Sequence, residues 1–256
     1  MSEVALVTGA SSGIGEEFAR ALSGRGYELV LVARREKRLR ELADELPPGT
    51  AHVLACDLAA DGATLPARVE ALGLSVDLLV NNAGFGAYGR FLEIDPERDA
   101  QQVRVNCEAV VTLSHAFVPG MVERGQGGVI TVASTAGMQP LPYEAVYSAT
   151  KAFARTFSDA LHVELRGTGV RVLAVHPGPV PTEWQEVAGH TETNKPRGVP
   201  GEIPPAQVVA EALAAYDAGR RSIVPGRFMR WFMRASKPVP EALKLRRAEQ
   251  MYRPKG

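Results

Sequence analysis

Tyr147 and Lys151 stand four residues apart, as Tyr-Ser-Ala-Thr-Lys, inside a stretch with helical patterning. On a helix such residues share one face, with β-carbons about 6 Å apart. A protonated lysine held there favours tyrosinate over tyrosine, which predicts a phenol pKa below its usual value of about 10. That phenol can give or take a proton near neutral pH. Any long helix can contain this pair, so the weight comes from Ser134 at the end of a strand-like run. A hydroxyl there can donate to a substrate oxygen beside Tyr147 and stabilise charge as it develops.

A second group of residues suits a phosphate. The first strand-like run ends in Thr8-Gly9-Ala10-Ser11-Ser12-Gly13-Ile14-Gly15, and a helical pattern follows. Glycines here allow a tight turn and let the backbone approach a pyrophosphate, while the helix N-terminus offers free N–H groups. Gly9, Ser11, Ser12, Gly13, Ile14 and Gly15 are therefore candidate dinucleotide contacts. The second strand ends Val32-Ala33-Arg34-Arg35. A carboxylate at this strand end would accept from the ribose 2′-hydroxyl of NAD, but Ala33 occupies the position. Arg34 and Arg35 suit a 2′-phosphate through charge-assisted contacts, so NADP(H) is expected in preference to NAD. Arg35 has a second reading, as the solvated start of a helix with Glu36, Lys37 and Arg38. Asp57, with Leu58, follows the third strand and reads equally as an adenine contact or a helix N-cap.

The elements that must position these residues alternate along the chain. Short apolar runs at 4–7, 29–33, 51–55, 78–80, 129–133, 170–175 and 222–224 read as strands. Helical patterns lie between them, near 14–24, 36–46, 62–73, 97–123, 145–167 and 206–218. Strands apolar along their whole length suit a parallel sheet covered on both faces. The expected fold is α/β, a doubly wound parallel sheet of the Rossmann type, as one domain with a helical C-terminal extension. Residues 1–225 form its dinucleotide-binding and catalytic part, 183–205 read as a substrate lid loop, and 226–256 are a basic extension.

Composition excludes several classes. The 256 residues carry 29 basic and 29 acidic side chains, so the formal net charge is zero and nothing points to nucleic acid. No uninterrupted apolar run approaches the ~18 residues of a membrane span, and the N-terminus lacks the pattern of a signal peptide. Cys56 and Cys107 have neither metal-ligand nor disulfide-framework spacing, and the five histidines show no metal spacing. A metal-free cytoplasmic protein is expected.

Taken together, the motifs resemble those of the short-chain dehydrogenase/reductase family. They are Thr8-Gly-x-x-x-Gly-x-Gly15, Asn81-Asn82-Ala83-Gly84, Asn106, Ser134, Tyr147-x-x-x-Lys151 and Pro177-Gly178, in the family's order and spacing. The resemblance implies that Tyr147 is the general acid/base and that Lys151 lowers its pKa and holds the nicotinamide ribose. Ser134 would orient the substrate carbonyl, and Asn106 would anchor a water linking Lys151 to solvent. Asn82, with Ala83 and Gly84, would border the adenosine ribose. Pro177, Gly178, Val180 and Thr182 would frame the nicotinamide. The extra prolines of Pro177-Gly-Pro-Val-Pro-Thr182 depart from the looser family pattern.

The implied activity is NADP(H)-dependent hydride transfer to or from a small-molecule carbonyl or alcohol. The alternative is a catalytically silent NADP-binding sensor or scaffold, against which an intact Asn106, Ser134, Tyr147 and Lys151 argue. Met138, Pro140, Leu141, Tyr143, Phe85 and Trp184 are candidate substrate contacts; they are mostly apolar with no clustered cation, so an apolar substrate is expected. Phe18, Phe153 and Phe157 recur at helical spacings as core candidates. Residues 226–256 hold nine basic and two acidic side chains. That tail has three readings: contact with an anionic membrane surface, closure over the pocket, or a subunit contact, the last two together being favoured. Family resemblance implies a homodimer or homotetramer built on the helices near 97–123 and 145–167.

Overall fold

The computed structural model describes residues 2–190 and 201–254. Seven strands, β1 (Val4–Thr8), β2 (Glu28–Ala33), β3 (Ala51–Ala55), β4 (Val76–Asn81), β5 (Gly127–Val132), β6 (Val170–Val175) and β7 (Ser222–Ile223), form one sheet. Their order is β3-β2-β1-β4-β5-β6-β7, and every neighbouring pair is parallel. The doubly wound sheet expected from the sequence is therefore the fold. After β1 the chain steps outward through β2 and β3, then returns to β4 on the other side. That reversal opens a crevice at the carboxyl ends of β1 and β4, where ligands of such sheets bind.

Helices cover both faces. One face carries α1 (Gly13–Ser23), α2 (Glu36–Asp44) and α8 (Pro205–Asp217), and the other carries α3 (Leu65–Glu70), α5 (Ala109–Arg124) and α6 (Ala145–Glu164). Alternation along each strand supplies two cores. In β1, Ala5 and Val7 join Phe18, Leu22, Leu39 and Leu213 on one side, while Val4 and Leu6 join Leu65, Val69, Leu113 and Met121 on the other.

Two segments differ from the sequence expectation. The helix expected at 97–123 is α4 (Pro96–Val103), a π turn at Arg104–Glu108, and α5. Asp95 starts it, accepting from the Glu97 amide at 3.0 Å. The joined Pro96–Arg124 helix is long and apolar enough, by composition, to cross a membrane, with a mean hydropathy of 1.2. Its Leu113, Val118 and Met121 are committed to the sheet instead. The 183–205 segment contains a short helix, α7 (Trp184–Ala188), ended by left-handed Gly189; residues 191–200 of that expected lid lie outside the described residues. The basic tail forms α9 (Arg227–Ala235) and α10 (Glu241–Tyr252). Of the aromatic core candidates, Phe18 is fully buried, whereas Phe153 is 38% exposed and stacks on Phe157 at the surface of α6.

Candidate active site

A cavity of about 1260 Å³ occupies the crevice, running from the tips of β1, β2 and β3 to α6, α9 and α10. At its nucleotide end, Gly9 has φ +68, and a β-carbon there would come within 2.9 Å of the Ala83 Cα. Thr8 and Asn82 lock this corner. The Thr8 hydroxyl accepts from the Asn82 and Ala83 amides at 3.0 Å, and the Asn82 side chain donates to the Thr8 carbonyl at 2.8 Å. Gly9, Ser11, Ser12, Gly13, Ile14, Asn82, Ala83 and Gly84 all line the cavity. Gly15 does not. It lies where α1 meets the Gly9 carbonyl and Asn82, so its missing side chain serves helix–strand packing rather than a ligand. The first turn of α1 has no side-chain cap, leaving its N–H groups for an anion.

Arg34 lines the cavity with no hydrogen bond or ion pair to any described residue. Arg35 is engaged: it donates to the Ser11 hydroxyl at 3.2 Å and pairs with Glu183 at 2.7 Å, while Arg38 reaches the same carboxylate at 3.4 Å. Of the two guanidinium groups, Arg34 is the one available to a 2′-phosphate. Asp57 and Leu58 both line the cavity; the Asp57 carboxylate accepts from the Ala59 amide at 3.0 Å and closes a turn, and the N-cap expected of it falls instead to Asp61 and Thr64 at the helices that follow.

At the other end, α6 presents Tyr147 and Lys151, both buried. The Lys151 ammonium donates to the Val132 carbonyl at 2.9 Å and sits 5.9 Å from the Tyr147 ring centroid. Gly84 permits this: a β-carbon there would lie 3.0 Å from both the Lys151 Nζ and the Asn106 Oδ1. Ser134, at the end of β5, accepts from the Ala136 amide at 3.1 Å and faces the cavity. Pro177, Gly178, Val180 and Thr182 line it after β6.

The expected acidification of Tyr147 does not hold for the chain by itself. Burial pushes the phenol well above its ordinary range, the nearby Glu144 carboxylate adds to this, and the Ser134 hydroxyl pulls weakly the other way. Trp184 packs on the ring at 4.8 Å and excludes water. Burial also draws Lys151 down from 10.5 to about 8. Desolvation is the largest cause for both groups.

Asn106 sits in the π turn behind the cavity wall, not on it. Its amide donates to the Phe85 carbonyl and the Thr150 hydroxyl, each at 2.9 Å, and its oxygen accepts from the Phe85 amide at 3.2 Å. Both N–H groups are thus committed to protein, which leaves neither for the expected water. π turns recur at functional sites because the extra residue re-aims the chain.

Around the substrate end, Leu141, Phe85 and Trp184 line the cavity as expected, but Met138, Pro140 and Tyr143 do not. Tyr143, at φ +68, turns its hydroxyl to Glu249 at 3.0 Å. One pair escaped sequence reasoning. Glu144 and His190 form a buried pair at 2.8 Å, with His190 stacked on Tyr88 at 4.4 Å. Met229, Phe232 and Met233 of α9 form a roof, and α10 brings Lys244, Arg247, Met251 and Tyr252 to the wall. The tail thus folds over the pocket, and cations do border it.

A model of the short-chain dehydrogenase family matches residues 3–193. The chain is 37% identical over 193 residues to the NADP-dependent 3-hydroxy acid dehydrogenase of Escherichia coli strain K12, covering 72% of this chain and 75% of that one. Among solved structures it resembles a short-chain dehydrogenase from Sphingobium yanoikuyae in complex with NADPH, with 31% identity, a TM-score of 0.82, and 94% and 95% of the two chains covered. It also resembles the bulky-bulky ketone specific alcohol dehydrogenase from Comamonas testosteroni, with 28% identity, a TM-score of 0.78, and 94% and 93% covered. The chain belongs to the short-chain dehydrogenase family of oxidoreductases.

Proposed function

We propose that the chain is an NADP(H)-dependent reductase or dehydrogenase acting on the carbonyl or alcohol of a largely apolar small molecule. The observation that carries this is the buried Tyr147–Lys151 pair where a dinucleotide-length crevice meets an apolar chamber. The residues present fit the dinucleotide: the glycine corner at Gly9 would be filled by any β-carbon, the first turn of α1 is uncapped, and unpaired Arg34 faces the cavity. The relatives named for NADP and NADPH support the same preference. When bound, the dinucleotide supplies or accepts the hydride.

The chain's own residues do the rest. Ser134 donates a hydrogen bond to the substrate oxygen, and Tyr147 gives that oxygen its proton in reduction or takes it in oxidation. Burial keeps the Tyr147 phenol protonated at neutral pH, which suits the reductive direction. Lys151 holds the ribose hydroxyls and places positive charge near the phenol. Asn106 fixes the Phe85 backbone through two hydrogen bonds and ties it to α6 through a third, to the Thr150 hydroxyl. The enzyme works in the cytoplasm as a homo-oligomer.

The test is NADPH consumption with a panel of apolar ketones, using native protein and Tyr147→Phe. The variant is expected to bind NADPH normally and to lose turnover by roughly 10²–10⁴-fold, the usual contribution of general acid–base catalysis. Unchanged turnover in the variant would remove Tyr147 from the chemistry.

A further inference from the structure

The substrate chamber combines apolar side chains with the paired Glu144 and His190, and its cations come from α10. Lys244, Arg247, Ala248, Met251 and Tyr252 recur at spacings of three and four, so they share one helix face, and that face lines the cavity. The inner end of α10 is fixed near the reacting phenol. The Tyr88 hydroxyl donates to the Tyr252 carbonyl at 2.8 Å, Tyr143 donates to Glu249 at 3.0 Å, and Tyr252 lies within electrostatic reach of Tyr147. With a rise of 1.5 Å per residue, Arg247 then stands about 7 Å and Lys244 about 12 Å farther out along the helix.

Neither cation has an acidic partner among the described residues. Three of the acids that line the cavity are otherwise placed: Glu144 is bound to His190, Glu183 to Arg35 and Arg38, and Asp57 caps its own turn, while Glu202 is exposed and pairs with neither cation. Glu249, on α10 itself, is held by Arg253 and Tyr143. Opposite α10 stand Met229, Phe232 and Met233, which offer apolar surface. Two cations without an acidic partner among the described residues, in one cavity with a proton donor and apolar surface, describe a complementary ligand.

Building on the proposed oxidoreductase function, we propose that the preferred substrate is an amphiphilic anion. Its apolar body carries the carbonyl to Tyr147, and a carboxylate or phosphate-type group is held by Arg247 and Lys244, about 7–12 Å along α10 from Tyr252. This narrows the expectation of a purely apolar substrate.

The experiment compares a keto acid spanning that distance with its own methyl ester, using the full chain and NADPH. The keto acid is expected to show a KM lower by several-fold, because Lys244 is half-buried and Arg247 exposed, so solvent screens part of the charge-assisted contact. In Lys244→Met/Arg247→Met that ratio is expected to collapse toward one, with thermal unfolding read alongside to show a folded protein. Equal KM values in the native protein, or a ratio that survives the double substitution, would overturn the inference and leave the oxidoreductase function standing. A raised KM for NADPH in place of the keto acid would overturn it too, by giving the cations to the dinucleotide. Loss of native binding to phosphatidylserine vesicles in the double variant, with the acid-to-ester ratio intact, would assign them to a lipid surface instead. Turnover of no ketone at all would overturn the proposed function itself.

Discussion

Burial and charge oppose each other at Lys151, and burial wins. Its pKa falls from 10.5 to about 8, so between those values the unfolded chain holds a proton that the folded chain has released. Stability therefore rises with pH through that window, and below pH 8 the folded state bears a cost of about 3 kcal/mol. Lys151→Met, which keeps the apolar stem, should be more stable than the native chain at pH 7 and lose that advantage by pH 10. Urea unfolding at both values tests this, and a pH-independent difference would refute it. His176 behaves alike in acid. Burial lowers it to about 4, and its Nδ1 has no partner among the described residues. Stability should fall as pH drops from 6.5 to 4, and His176→Leu should flatten that stretch of the profile. The Tyr147–Lys151 pair was legible because four-residue spacing is local. The direction of the phenol's shift was not, because it depends chiefly on burial, to which Trp184 contributes from a distant segment.

At the scale of elements, the parallel sheet was readable because each strand is apolar along its length. The π turn was not: one added residue leaves the amphipathic pattern of 97–123 nearly unbroken. Nor was α7, a single turn held by distant partners. Arg98 donates to the Val187 and Gly86 carbonyls, and His190, just beyond the helix, pairs with Glu144 ahead of α6. That pair joins the segment over the cavity to the helix carrying Tyr147. Its side chains are 3% and 5% exposed, so removing one partner leaves the other desolvated and unpaired. His190→Ala should lower stability by about 2–3 kcal/mol, within the range for a hydrogen bond to a buried charged group. Turnover should fall more than dinucleotide affinity, because α7 closes the substrate end while Arg34 and the glycine corner lie elsewhere. Equilibrium unfolding and NADPH titration together check this, and a variant with native stability and kinetics would show that the pair fixes nothing.

Across the whole molecule, exposed apolar residues on α6 and on α9 flank the site from different sides, and their positions give them different expected roles. On α6, Phe153 and Val163 are 38% and 48% exposed, and Phe153 stacks on Phe157 at 5.9 Å. The same helix turns Tyr147 and Lys151 inward, so an interface on its outer face would brace the catalytic pair from behind. On α9, Phe228 and Trp231 are 45% and 63% exposed, and Trp231 borders the cavity. A rim beside a pocket belongs to ligand entry, whereas an apolar patch on a core helix away from it suits a two-fold contact, in which each protomer offers the same surface. Phe153→Asp is therefore expected to shift the protein to monomers in sedimentation velocity and to lower its thermal stability. Trp231→Asp should leave the sedimentation coefficient unchanged while raising KM for apolar ketones several-fold. The reverse pattern, with dissociation by Trp231→Asp and none by Phe153→Asp, would move the subunit contact to the tail and make the roof of the pocket an intermolecular one.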